Sequence, residues 1–218
     1  MATFAGTQQR TAPVSPAPMP ETAIVSNAVA AIGDPAPLGL AAFGTTTLVL
    51  SVINAGWAPA SVTVGVLALA IAFGGGAQVL AGMWAFRRGN TFAATAFTSY
   101  GAFWLSYWLL VSNFIPAMVA QKVPAGDIGG FVGLFLFAWG IFTAYMFIAS
   151  WRSAKAVTLV FGLLTVTFFV LATGEWAASD SIHKLGGYVG LLTAVAALYA
   201  SFADVVNANF GRHLMPTG

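Results

Sequence analysis

The chain has 218 residues, 59% of them hydrophobic and only 6% charged, with 8 Lys and Arg against 6 Asp and Glu and a mean hydropathy of +0.86. Soluble domains carry about 25% charged residues, so this composition cannot cover a water-facing surface, and a polytopic membrane protein is the class that fits. The sequence contains no cysteine, which excludes disulfides, thiol catalysis and zinc–thiolate sites. The few cations sit at breaks between apolar runs and form no basic stripe for a nucleic acid.

Residues 1–33 are rich in Pro, Ala and Thr. Pro13, Pro16, Pro18 and Pro20 oppose a helix there, and the basic start and apolar core of a secretory signal are missing. The expectation is a disordered cytoplasmic tail. The next stretch, Asp34-Pro35-Ala36-Pro37-Leu38-Gly39-Leu40, carries a capping residue followed by a proline suited to a first helical position, so it marks a helix start.

A bilayer core about 30 Å thick needs roughly 20 apolar residues per helix. Six runs qualify, over residues 38–55, 61–86, 91–115, 128–150, 156–173 and 185–204. The predicted fold is an all-α integral membrane protein with six transmembrane helices. A transmembrane domain covers residues 34–206, between the tail over 1–33 and a second cytoplasmic tail over 207–218. Arg10, Arg87, Arg88, Arg152, Lys155 and Arg212 fall in the tails and the second and fourth loops, against Lys122 and Lys184 in the third and fifth. That imbalance places both termini in the cytoplasm. Trp57, Trp84, Trp108, Trp151 and Trp176 lie near predicted helix ends, as interfacial anchors do.

The predicted helix centres hold no Lys, Arg, Asp or Glu, which argues against a proton relay of buried ion pairs. Asp204 and Glu175 lie near helix ends, where anchoring or capping explains them. The polar groups inside the spans are neutral. Thr45, Thr46, Thr47 and Ser51 lie in the first helix, and Thr158, Thr165 and Thr167 in the fifth. In the third, Thr91, Thr95 and Thr98 share a face, followed by Ser99 and Tyr100. Such hydroxyls either bond to their own helix and its neighbours or line a path. Gln78 follows Gly74-Gly75-Gly76. Its amide carries two donors and an acceptor whose burial unpaired is costly, so Gln78 is either a structural tie or a path-lining group. A route lined by amide, hydroxyl and aromatic groups suits a small, weakly held solute. The residues alone reach a channel or transporter for such a solute.

The 34–40 stretch closely resembles the Asn-Pro-Ala-Pro-Leu-Gly-Leu signature of the acetate uptake transporter family, which includes the bacterial succinate–acetate permeases. The likeness continues through Phe43-Gly44, Gly75-Gly76-Ala77-Gln78, Gly89-Asn90-Thr91-Phe92, Thr95-Ala96-Phe97-Thr98-Ser99-Tyr100-Gly101, Phe103-Trp104, Trp139-Gly140, Phe142-Thr143 and Phe210-Gly211-Arg212, and so spans residues 34–212. The resemblance implies a homo-hexamer in the plasma or inner membrane, with a path through each protomer for acetate and, in some members, succinate. It maps a hydrophobic constriction onto Phe43, Tyr100 and Leu164, with Gln78 as a polar path residue. Thr46, Thr95, Thr98 and Ser99 are further path-lining candidates, and Asp34, Pro35, Pro37, Leu38 and Gly39 form the cytoplasmic entrance motif. Asp34 stands where the family usually has Asn, so it acts as a cap, as a protonated acid, or as a mark of altered selectivity. The expected partners are a short carboxylate and membrane lipid, with no cofactor, metal, nucleic acid or enzymatic activity. The alternative is a membrane sensor or scaffold that binds carboxylate without moving it.

Overall fold

The computed structural model describes residues 32–218. The tail expected over residues 1–33 therefore falls almost wholly outside the described residues. Residues 34–218 form one compact unit. It contains six helices long and apolar enough to cross a membrane: α1 Ala36–Asn54, α2 Ala60–Arg87, α3 Thr91–Ala120, α4 Ala125–Arg152, α5 Lys155–Trp176 and α6 Asp180–Phe210.

Each predicted span is found, and most helices run beyond it. An apolar run marks the part of a helix that sits in hydrocarbon, whereas the ends are set by capping. The extension is greatest in α6, which takes in Asp180 and His183 at its start and continues six residues past Asp204. The Ser179 hydroxyl accepts the Ile182 N–H at one end, and Gly211 adopts a left-handed φ of 63° at the other. Asp204 therefore lies within a helix instead of at its end.

Two helices are locally wider than an α-helix. In α2 the π-helical stretch Ala72–Ala77 contains Gly74, Gly75 and Gly76, and glycine is a poor α-helix former. In α3 a π-helical stretch, Leu110–Phe114, directly precedes Ile115 and Pro116. Proline has no N–H for the fourth carbonyl back, and the helix accommodates that defect by widening.

The helices form a ring in the order α4, α5, α6, α1, α2, α3, with close backbone packing between α1 and α6, α2 and α3, α5 and α6, and α4 and α5. Small residues allow these approaches. Gly187 of α6 lies against the backbone of Asn54 and Ala55 at the end of α1. Between α2 and α3, a Cβ on Gly101 would stand 2.9 Å from the Val79 nitrogen and 3.0 Å from the Gly75 carbonyl oxygen. The seam between α3 and α4 differs, because aromatic side chains fill it. Phe103 contacts Phe135 and Trp139, and Tyr100 contacts Trp139 and Phe142.

Large apolar side chains such as Leu80, Leu134, Ile148, Leu159, Leu192 and Phe202 face outward, as lipid or another protein surface demands. Trp57, Trp84, Trp151 and Trp176 are exposed, while Trp108 packs against the core. At one end of the bundle lie Arg87, Arg88, Arg152, Lys155 and Arg212, and at the other Lys122 and Lys184. The positive-inside rule assigns the first end to the cytoplasm.

Candidate functional site

A cavity of about 750 Å³ enters the bundle from the end opposite the arginines. Parts of all six helices line it. Asn54 at the end of α1 and Gly56 just beyond it mark its mouth, with Leu171 and Glu175 on α5 and Asp180 and His183 on α6. Its wall is mostly apolar, with Thr47, Ser51, Thr63 and Thr167 contributing hydroxyls. The mouth carries an ion pair, with Lys184 Nζ 2.6 Å from Asp180 Oδ2, and beside it His183 Nδ1 lies 3.4 Å from Glu175 Oε1. The lysine stem lies over Gly56, so this cation bridges α6 and the end of α1.

Phe43 and Leu164 line the inner part of the cavity. Tyr100, 3% exposed, does not line it but packs against Phe43, with ring centroids 5.8 Å apart. Helix arithmetic explains why these residues meet. Helices α1, α3 and α5 all start at the cytoplasmic end, and Phe43, Tyr100 and Leu164 lie seven, nine and nine residues after those starts. At 1.5 Å per residue they fall in one layer, about 10–14 Å in. Helices α2 and α4 run the other way, and Gln78 and Thr143 each lie nine residues before their ends, at the same depth. Phe43, Tyr100 and Leu164 all belong to the hydrophobic core.

The polar candidates divide. Gln78 is buried, and its amide oxygen has no partner among the described residues; the Thr98 hydroxyl is likewise buried and unpartnered among them. Thr98 packs against Gly82 on α2, one turn from Gln78. Thr46 is fully buried and donates to the Ala42 carbonyl at 2.9 Å, and it packs against Gly74. Its hydroxyl proton is used within α1. Thr95 and Ser99 are half-buried.

At the other end, a second cavity of about 770 Å³ is lined by Asp34, Pro37, Leu38, Asp204 and His213 among others. Asp34 is exposed, and its Oδ1 accepts the Ala36 N–H at 2.9 Å, holding the first turn of α1. The Pro37 carbonyl accepts the Ser201 hydroxyl of α6 at 2.7 Å. Pro35 and Gly39 are buried, Leu38 is exposed, and Gly39 packs under the Phe97 ring. The motif thus combines a helix start with close packing against α3 and α6.

Several groups at the site escape a reading of residue types. The Trp104 indole N–H and the Thr47 hydroxyl belong to residues lining the first cavity and have no partner among the described residues. Thr143, fully buried, accepts the Tyr100 phenol proton at 3.0 Å and donates to the Trp139 carbonyl at 2.7 Å. The signal for Thr143 was its depth, nine residues from the end of α4. For Trp104, spacing from Tyr100 by one turn places both on one face of α3.

Residues 18–215 match the GPR1/FUN34/yaaH family. The chain is 38% identical over 187 residues to the succinate-acetate/proton symporter SatP of Escherichia coli, an alignment that covers 86% of this chain and 96% of that protein. It is also 38% identical to acetate permease A of Emericella nidulans, over 84% of this chain and 65% of the permease. Among solved structures, the bacterial acetate channel SatP superposes with a TM-score of 0.78 at 38% identity, covering 86% of this chain and 99% of that one.

Proposed function

Because the chain belongs to the GPR1/FUN34/yaaH family, we propose that it carries acetate, and with it other short carboxylates such as succinate, along a path inside each protomer. The protein is a multi-pass membrane protein of the cytoplasmic membrane, and the relatives named above are a symporter, a permease and a channel, not enzymes. The observation that carries the reading is the cavity of about 750 Å³ whose inner part meets the layer of Phe43, Leu164 and Tyr100.

The chemistry follows from that arrangement. A carboxylate entering the cavity exchanges part of its water for hydroxyl groups such as Ser51 and Thr167. At Phe43, Tyr100 and Leu164 it passes large apolar side chains that exclude a hydrated or bulky ion. Gln78, Thr98, Ser99, Thr95 and Thr46 form the polar set near the same depth. The helix centres hold no fixed cation at this layer, so binding stays weak enough for release. Asp34, Pro35, Pro37, Leu38 and Gly39 frame the cytoplasmic entrance.

In this reading residues 34–206 are the transmembrane domain, with residues 1–33 and 207–218 on the cytoplasmic side. The functional particle is a homo-hexamer, which fits the outward-facing apolar side chains and rests otherwise on the family resemblance.

The test is labelled-acetate flux in proteoliposomes, with and without a pH gradient and corrected for diffusion of neutral acetic acid. Gln78→Ala and Tyr100→Ala are expected to change flux by about tenfold or more while assembly is kept, because each removes a group from a narrow path. Unchanged flux in both variants overturns the site assignment. Acetate binding without any flux favours a sensor. Dependence on the gradient separates proton-coupled transport from passive conduction.

A further inference from the structure

We propose that Thr143 is the positioning residue of the constriction, holding the Tyr100 phenol against α4 so that the ring, and not the hydroxyl, faces the passing carboxylate. The proposal rests on the assignment of Phe43, Tyr100 and Leu164 to the constriction.

Three observations carry it. The first is the direction of the hydrogen bonds. The Tyr100 hydroxyl donates to Thr143 Oγ1 at 3.0 Å, and Thr143 donates its own proton to the Trp139 carbonyl at 2.7 Å. Thr143 is therefore satisfied within its own helix and does not depend on Tyr100. The phenol does depend on Thr143, because both groups are shielded from solvent, at 3% and 0% exposure. A buried donor left without an acceptor is costly, whereas removing that donor altogether is not.

The second is position. The tie crosses the seam between α3 and α4, where aromatic side chains and not close backbone packing join the ring of helices. The Tyr100 ring meets Trp139, Phe142 and Phe161 at centroid distances of 6.3, 5.4 and 5.9 Å. Ring contacts of this kind hold a side chain in place but leave its hydroxyl free to choose an acceptor. The threonine supplies that acceptor on the side away from Phe43's helix.

The third is chemistry. A carboxylate is a stronger acceptor than a threonine hydroxyl, and a charge-assisted bond to a buried phenol is short and strong. Conduction needs each contact to be weak enough to release. With its proton committed to Thr143, the tyrosine contributes bulk without adding a binding step. Once uncommitted, the same hydroxyl is free to hold each passing anion.

The test is a double-mutant cycle read as labelled acetate and succinate flux in proteoliposomes. Thr143→Val is expected to lower acetate flux by about threefold or more, with a lower half-saturating concentration, and to shift the acetate-to-succinate ratio by a similar factor. Thr143→Ser keeps the hydroxyl and is expected to hold that ratio. In a Tyr100→Phe background, whatever flux that variant itself has, Thr143→Val is expected to add nothing, because there is no phenol to position. A merely structural threonine would lower assembly in both backgrounds and leave the ratio alone. A Thr143→Val effect that persists in the Tyr100→Phe background, or no effect in either, overturns the proposal. Should Thr143→Val alone fail to assemble, recovery of assembly in the double variant supports the proposal and continued failure overturns it. Failure of the constriction reading is seen separately, as unchanged flux in Tyr100→Ala.

Discussion

Asp34 shows what a single side chain at the entrance does. Its carboxylate oxygen holds the Ala36 N–H at 2.9 Å, and it shares a cavity with Asp204. Asparagine offers an equivalent oxygen and caps about as well as aspartate, so Asp34→Asn is expected to leave thermal stability unchanged within about 0.5 kcal/mol. It removes one negative charge from the proposed cytoplasmic entrance, and labelled-acetate flux is expected to stay equal or rise. A large loss of flux would show that the acid itself is required. That Asp34 bonds to the start of α1 was legible from sequence, but the register was not: the helix begins at Ala36 with Pro35 at its N-cap position, one residue later than the Asp-Pro pair suggests. Hydroxyl orientation was not legible either. Thr46, Thr98 and Thr143 are the same residue type inside helices. The first bonds back to Ala42, the second has no partner among the described residues, and the third accepts from Tyr100 across a seam. Only the packing of neighbouring helices decides among these fates.

At the scale of the element, hydropathy located all six helices because about 20 apolar residues have no other economical use than a membrane span. It could not locate the π-helical stretches in α2 and α3, since a change of hydrogen-bond register leaves composition untouched. The punctuation was nonetheless present, as three consecutive glycines in one helix and Pro116 in the other. Packing between α2 and α3 depends on further glycines, Gly82 and Gly101 among them. A side chain at position 101 meets backbone atoms of Val79 and Gly75 at 2.9 and 3.0 Å, and backbone cannot step aside as a flexible side chain does. Gly101→Val is expected to destabilise the protein by about 1–3 kcal/mol, as overpacking of a tight interface does, and to lower the melting temperature of detergent-purified protein. An unchanged melting temperature would mean that the two helices separate freely.

For the molecule as a whole, the two ends of the bundle differ in charge as well as in cations counted. The outer mouth holds Glu175 and Asp180 against Lys184, with His183 beside Glu175. Among the described residues Lys184 is the Lys or Arg side chain lining that cavity, and exposed charges act on arriving ions mainly through long-range, salt-screened attraction. Lys184→Met is expected to reduce acetate influx from that side by about two- to fivefold in dilute buffer, with the difference shrinking in about 0.5 M salt, where the screening length is a few ångströms. Influx that stays equal at both salt concentrations would remove Lys184 from any part in capture. The order of the ring has a consequence of another kind. Helices α1 and α6 pack closely along the ring, and the start of α1 and the end of α6 border one cavity. The least tightly joined neighbours are α3 and α4, in the middle of the chain. Joined from the end of α6 to the start of α1 and opened near Lys122 and Val123, the chain would run through the close helix pairs in their order around the ring.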